Sequence, residues 1–350
     1  VSHTSSTPEG WFDNENPGLA NFWHPVAAAA DLNGDGPHPI RLLGTDYTLV
    51  KLAGEWTTLP AACPHRLAPL SAGTIVGDKL QCAYHGWCFS SSGSCVEIPA
   101  LGPEASIPPS AHVETATEVA EQYGLIWVVL NSPLAAIPAL AEWDDDRFGQ
   151  AVLPAHTWNA SAAQMADNFL DVAHFPFTHL GTIGDPDDIE VGAFTVERDI
   201  WSFGSVHHHR SKVLDAAASG ETEVFETFDR TMTFRCDAPH HVRLHIDYGT
   251  DGDLVLYFFH QPVDVDTTAI YLLMFAENIA DGRMAPWDHI EFQQAVGAED
   301  RQLLEQLVIK AVPLDLSVEC HTRADKSTVE LRRLLAEVAA TAQGRESVME

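Results

Sequence analysis

Cys63-Pro-His65 and, after sixteen intervening residues, Cys82-Ala-Tyr-His85 are the two stretches whose reading decides the fold. Each offers one thiol and one imidazole beside a short β-like run, Trp56 to Ala61 before the first and Lys79 to Ala83 around the second. Two hairpin tips built this way can put two thiolates on one iron and two neutral imidazoles on another. That is the ligand set of a high-potential [2Fe-2S] cluster. Pro64, Gly73 and Gly86 allow both tips to turn tightly. Two Cys and two His also make a structural zinc set, but zinc knuckles more often pair Cys with Cys, and here each tip is mixed. Cys88, Cys95, Cys236 and Cys320 have no His at ligand spacing and are expected to be buried as small hydrophobes.

Outward from these tips, short β-like runs fill the stretch from Pro39 to Asn131. Ile40 to Leu43, Tyr47 to Leu52 and Leu125 to Leu130 are the clearest, with Gly44, Gly54, Gly77 and Gly93 at the corners. A small all-β domain over 20–131 is expected. A Pro/Ala-rich loop (Pro133 to Pro138) and an acidic run (Glu142 to Asp146) then break the pattern. A second domain over 132–350 follows, with residues 1–19 expected to pack against it. Ala162 to His174 reads as helix. Phe194 to Phe203, Glu223 to Cys236, Val242 to Tyr248, Asp253 to Phe259 and Ala269 to Glu277 read as antiparallel strands. Two helices, Asp288 to Lys310 and Ser327 to Ala340, end the chain, the second with Ser327 and Glu330 as its capping pair. The fold class is therefore α+β.

Asn168, Asp171 and His174 stand at i, i+3 and i+6 of the expected helix and so on one face, and His179 follows once Pro176 has ended it. Two imidazoles can then converge on one ion. Non-haem iron that must bind O2 and substrate together is usually held by two His and one carboxylate, so a carboxylate from elsewhere is required. In an aromatic setting (Phe169, Phe175, Phe177), however, two histidines are more often hydrogen-bonded core residues than ligands.

Cys63-Pro-His-Arg-Leu-Ala-Pro-Leu-Ser and Leu80-Gln-Cys-Ala-Tyr-His-Gly-Trp-Cys-Phe resemble the Rieske domain of ring-hydroxylating and demethylating oxygenases from about Ile40 to Pro99, with Leu67 where Gly is common. Asn168-Phe-Leu-Asp-Val-Ala-His-Phe-Pro-Phe-Thr-His179 resembles the mononuclear-iron motif of the same oxygenases. Gly181-Thr-Ile-Gly-Asp-Pro is similar to the vanillate, dicamba and methylxanthine demethylase branch. The resemblance implies a Rieske domain followed by a helix-grip catalytic domain, with Fe(2+) on His174, His179 and a late Asp. Ala298-Glu-Asp-Arg301 is the matching segment, so Asp300 is assigned and Glu299 is its competitor. It also implies that Asp171 connects His174 to His85 of a neighbouring subunit, which calls for a head-to-tail homotrimer. Asn168 and Asp171 are expected to serve the reaction. The implied activity is monooxygenation of a small, aromatic or heterocyclic substrate, as hydroxylation or O- or N-demethylation. Cis-dihydroxylation and a non-catalytic electron carrier are the alternatives.

Composition sets the remaining bounds. With 45% hydrophobic residues in 350, the chain can bury two cores. Fifty acidic against nineteen basic residues, a formal charge of -31, repel phosphate backbones and anionic lipid, so neither nucleic acid nor membrane is an expected partner. The longest apolar runs, Tyr123 to Leu130 and Ala269 to Ala276, are too short to span a bilayer. No secretory leader is visible in Val1 to Gly10, and a cytoplasmic location is expected. No dinucleotide fingerprint is present, so electrons are expected from a separate ferredoxin or NAD(P)H reductase. Asp31 to Gly36 is similar to half a calcium loop but lacks the closing Glu, because position twelve is Leu42. His207, His208 and His209 alternate across a strand and cannot converge simply.

Overall fold

The computed structural model describes residues 7–104, 106–214 and 225–342; the side chains of 211–214, 225–228 and 251 lie outside that description. Two compact units result. One comprises Pro17–Ile137 with Gln261–Asp264, the other the chain up to Asn16, Pro138–His260 and Val265 onward.

The first unit is all β. His38–Leu42, Thr45–Leu52 and Glu55–Pro60 form a three-stranded antiparallel sheet, and Thr74–Val76, Lys79–Gln81, Cys88–Phe89 and Cys95–Glu97 a four-stranded one. Glu118–Gln122, Leu125–Val129 and His24–Ala28 make a third. Alternation places Val50, Leu52, Leu59, Leu70, Leu80 and Phe89 in one core that also encloses Cys63 and Cys82. Gly44, Gly54, Gly77 and Gly93 all take the left-handed backbone expected at hairpin corners.

The second unit carries an eight-stranded antiparallel sheet. From one edge it runs Gly149–Val152, Thr267–Ala276, Asp253–Asp264, His241–Asp247, Phe225–Asp237, Ser202–Leu214 and Val196–Asp199, and His156–Trp158 also pairs with Thr267–Ala276. Trp158, Met165, Ile270 and Leu304 form one buried cluster, which seats the helices Ala162–Phe169 and Pro286–Leu304 on this sheet. Trp11–Phe12 pairs with Val312–Pro313, and Asn14 donates to Thr268 Oγ1 at 2.9 Å while accepting the Ala162 N–H at 2.8 Å.

Five local expectations are corrected. The helix from Ala162 stops at Phe169 rather than His174. Its stop is Asp171, whose Oδ1 and Oδ2 accept the backbone N–H groups of Ala173 (2.8 Å) and His174 (3.2 Å), offering the chain a turn in place of another helical step. Pro176 does not end that helix; it lies in the first turn of a separate one, Phe175–Thr178, where no N–H is needed. The single strand expected over Phe194 to Phe203 is a hairpin, Val196–Asp199 against the long Ser202–Leu214. Ser327 is no cap: the last helix is Lys326–Thr341, and Ser327 is buried within it, 3.1 Å from Ser205 Oγ. The helix at 162 has the capping box instead, with Ser161 Oγ accepting Gln164 N–H at 3.2 Å and Gln164 Oε1 accepting Ser161 N–H. Cys320 is exposed, whereas Cys88, Cys95 and Cys236 are buried as expected.

Candidate metal centres and substrate cavity

Cys63 and Cys82 open two turns of one design. Leu67 N–H donates to the Cys63 carbonyl at 2.9 Å and Gly86 N–H to the Cys82 carbonyl at 3.0 Å; Cys63 N–H and Cys82 N–H then donate to Ala68 and Trp87, each at 2.8 Å. The return of each chain needs a left-handed residue, Gly86 at φ 73 and Leu67 at φ 57. Glycine adopts that backbone freely, while Leu67 does so at a cost of about 1 kcal/mol. Both sulfurs are buried, and burial pushes the Cys63 thiol up to about 11, with the Cys82 thiol adding to the effect. The His65 and His85 rings meet edge-on at 4.5 Å, and His65 stacks on Trp87 at 4.6 Å. His65 Nδ1 is buried without a hydrogen-bond partner. Two thiols in an apolar wall and an imidazole nitrogen with no partner suit a metal cluster better than a hydrogen-bond network.

The second centre is built from the turn that Asp171 makes. Its Oδ2 also lies 3.2 Å from His174 Nδ1, which turns Nε2 of that ring inward. His179 Nδ1 stands 2.9 Å from Glu299 Oε2, and Glu299 also accepts from Gly181 N–H (3.2 Å) and Thr182 Oγ1 (2.6 Å). A Cβ on Gly184 would collide with the backbone carbonyls of Phe175 and His179, so that position requires glycine, while a Cβ on Gly181 would only push aside the Glu299 carboxylate, 2.6 Å away. The two Nε2 atoms are then 3.1 Å apart, with Asp300 Oδ1 at 3.4 Å from one and 3.2 Å from the other. Cis ligands about 2.1 Å from one ion stand about 3 Å apart, so the triangle has the size of a facial triad.

Electrostatics agree with that fit. If each imidazole donates its Nδ1–H as a hydrogen bond to its carboxylate, both Nε2 lone pairs face Asp300 Oδ1, an arrangement that calls for a cation. Burial disfavours a charged His174, yet Asp171 and Asp300 outweigh it and raise its pKa to about 9. Burial would likewise raise Asp300, but His174 and His179 hold it below the usual carboxylate range. Sequence order alone left Glu299 and Asp300 as competitors; Glu299 contacts the outer nitrogen of His179, and Asp300 faces the inner pair.

A cavity of about 380 Å³ opens on this triangle. Asn168 lines it from the end of the helix, its Oδ1 buried without a partner. Alternate residues of adjacent strands supply the far wall: Met232, Leu244, Ile246, Leu256, Phe258 and Ile270. Tyr257, between Leu256 and Phe258 on the same strand, points to the opposite face and donates its hydroxyl to Glu142. Phe225 and Phe228, aromatic residues that the sequence places among these strands, have side chains outside the described residues.

The sequence reading missed one other group, the buried imidazoles His240, His241 and His260. His260 Nδ1 donates to the His240 carbonyl at 2.8 Å. Burial lowers His260 to a pKa of about 4 and does the same for His207 and His209, the latter with help from the Arg230 charge. These rings are neutral when folded and bind protons more readily when unfolded, with a reference pKa of 6.5. Their contribution to stability is therefore complete above pH 6.5 and is lost as pH falls toward 4. Urea midpoints of the holoprotein are expected to drop across that window; a flat profile would contradict the assignment.

Residues 22–117 match the Rieske [2Fe-2S] domain, and residues 158–341 match the vanillate O-demethylase oxygenase C-terminal domain. Methylxanthine N1-demethylase of Pseudomonas putida is 31% identical over 93% of this chain and 91% of its own length. The N3-demethylase of the same organism is 28% identical over 94% and 92%. A solved structure of the N1-demethylase with caffeine superposes with a TM-score of 0.80 at 29% identity, covering 95% of this chain and 94% of that one. Among the described residues no helix is long and apolar enough to cross a membrane. With a [2Fe-2S] cluster in its β unit and a mononuclear iron in its sheet-and-helix unit, the chain belongs to the Rieske non-haem iron oxygenases, as an oxygenase component of the vanillate and methylxanthine demethylase type.

Proposed function

We propose that Cys63, His65, Cys82 and His85 hold the cluster, that His174, His179 and Asp300 hold the iron, and that the chain removes a methyl group from oxygen or nitrogen, or hydroxylates, on a small aromatic or heterocyclic substrate. The observation that carries this reading is the triangle of two imidazoles and a carboxylate, 3.1 to 3.4 Å on a side, at the end of a 380 Å³ cavity. Relatives named for demethylation of methylxanthines support the choice of reaction. When bound, the iron supplies O2 activation and the cluster supplies electrons.

The chain's own residues do the rest. Asp171 and Glu299 fix the two rings so that neither nitrogen has to reorient when the ion enters. The apolar strand residues exclude water from the reacting methyl group. Asn168 offers a polar contact where the substrate approaches the triangle. Asp171 is also the proposed link to His85 of a neighbouring copy: its carboxyl is a quarter exposed, and His85 is exposed at the cluster tip. That link makes a homotrimer the working assembly, supplied by a separate ferredoxin or NAD(P)H reductase in the cytoplasm.

Metal and sulfide analysis tests the assignment directly. About three irons and two acid-labile sulfides per chain are expected. Two irons and two sulfides would leave only an electron carrier, and zinc without sulfide would remove the cluster as well. Products bearing two new hydroxyls would replace monooxygenation by dihydroxylation.

A further inference from the structure

The helix Pro286–Leu304, which carries Asp300, is held very differently at its two ends. Its C-terminal end is fixed. Asp300 and Leu304 are each 5% exposed, and Leu304 packs with Trp158, Met165 and Ile270. Just beyond, Asn159 N–H donates to Glu305 Oε1 at 3.0 Å, and Lys310 Nζ donates to the Leu304 and Glu305 carbonyls at 3.0 and 2.8 Å. Of the described residues from Pro286 to Glu299, by contrast, only His289 is buried. A surface helix ordinarily buries an apolar stripe, one residue at every third or fourth position. Here Trp287 is 60% exposed, while Phe292 and Val296 are only half-buried because they line the cavity. This half of the helix rests on a cavity rather than on a packed core, which puts it at the low end of local stability.

The junction between the two halves is Gly297. Glycine weakens a helix interior more than any residue except proline. Its usual reasons are absent at this position: the backbone is helical, and a Cβ would meet Trp158 Cζ2 at 3.6 Å, an ordinary van der Waals contact. What glycine supplies is a weak point on the N-terminal side of Asp300. Near the start of the helix, His289 Nε2 donates to Asn278 Oδ1 at 2.8 Å, on the short helix Glu277–Ala280. Trp287 Nε1 donates within its own helix, to Glu291 Oε1 at 2.6 Å, rather than to the body of the unit.

We propose that Pro286–Val296 is a lid on the cavity, swinging about Gly297 and latched by His289 to Asn278, which lets substrate and product pass while Asp300 stays in place. The passage of substrate rests on the demethylase reading above, whereas the motion is measurable with no substrate present.

Hydrogen exchange on the iron- and cluster-loaded protein, read by mass spectrometry, is the test. An undocked helix this short does not persist in water, so opening exposes its amides. Ile290–Val296 are expected to exchange together, on the order of 100-fold faster than Gln302–Leu304, with the step at Gly297. Gly297→Ala should slow that group about 5-fold and Asn278→Ala should hasten it about 5-fold, with Gln302–Leu304 and the iron content unchanged. Leu256, 3% exposed on the strand wall, reports whether the cavity opens with the helix. In a Leu256→Cys/Cys320→Ser background, alkylation at position 256 by iodoacetamide should change by the same factors.

One slow rate along the whole helix, or rates that decline gradually from Pro286 with no step at Gly297, would overturn the lid. Exchange in Gly297→Ala at the wild-type rate, or alkylation indifferent to both substitutions, would do the same. The step at Gly297 is read on the wild-type protein, so a variant that fails to fold does not remove the test. Two irons and two sulfides in the metal analysis above would end the demethylase reading and leave the exchange step as it is, so the two fail separately.

Discussion

Asp300→Ala is expected to leave a normal [2Fe-2S] spectrum and bring product formation to about 1% or less of the wild-type rate, because the proposed facial triad, reduced to two imidazoles, would not retain iron. The informative control is its neighbour. Glu299→Gln keeps the residue beside His179 Nδ1 but replaces a carboxylate by an amide, so iron should stay and iron affinity or turnover fall about 10- to 100-fold. Iron content by absorption spectrometry and substrate-dependent O2 uptake separate the two variants. Iron retained in Asp300→Ala and lost in Glu299→Gln would exchange their roles.

The second large effect is expected at Asp171, where Asn preserves the shape but removes the charge. Its backbone contacts to Ala173 and His174 can persist through the amide oxygen, so folding, cluster and iron content should match wild type. Turnover should nevertheless fall about 10- to 100-fold, since the His174 ring loses the carboxylate that orients it and the proposed path to the neighbouring His85 loses its charged link. Reduced cluster mixed with O2 and substrate should reoxidise more slowly by the same factor. An unchanged reoxidation rate with reduced turnover would confine Asp171 to positioning His174. A monomer with full turnover would remove the intersubunit path altogether.

How much was legible beforehand varied with the range of the interaction. The strands that carry Cys63 and Cys82, the glycine corners and the order of the two units follow from local pattern, because period-two alternation and turn chemistry act over a few residues. The turn at Asp171 was misread. Helical periodicity continues through it, and only the competition of its carboxylate for two backbone N–H groups ends the helix. Capping was misplaced for a related reason: Ser327 fits the pattern of a cap, but burial beside Ser205 gives it another partner. The capping box at Ser161 and Gln164 could have been read directly.

The sequence by itself determined the chemistry: a mixed Cys/His pair at each of two tips, two spaced imidazoles, and a late acidic pair whose order suggested the ligand. Such information is carried by residue type and short spacing. Only the tertiary structure decided which carboxylate meets which nitrogen. Glu299 and Asp300 are adjacent on one helix, and the rotation of that helix against the Gly181–Gly184 turn sends one to the outer edge of His179 and the other between the two rings. It also decided that Arg230 faces the cavity and Tyr257 does not. Strand register sets that choice, through pairings between residues far apart in the chain, and a one-residue slip would reverse it.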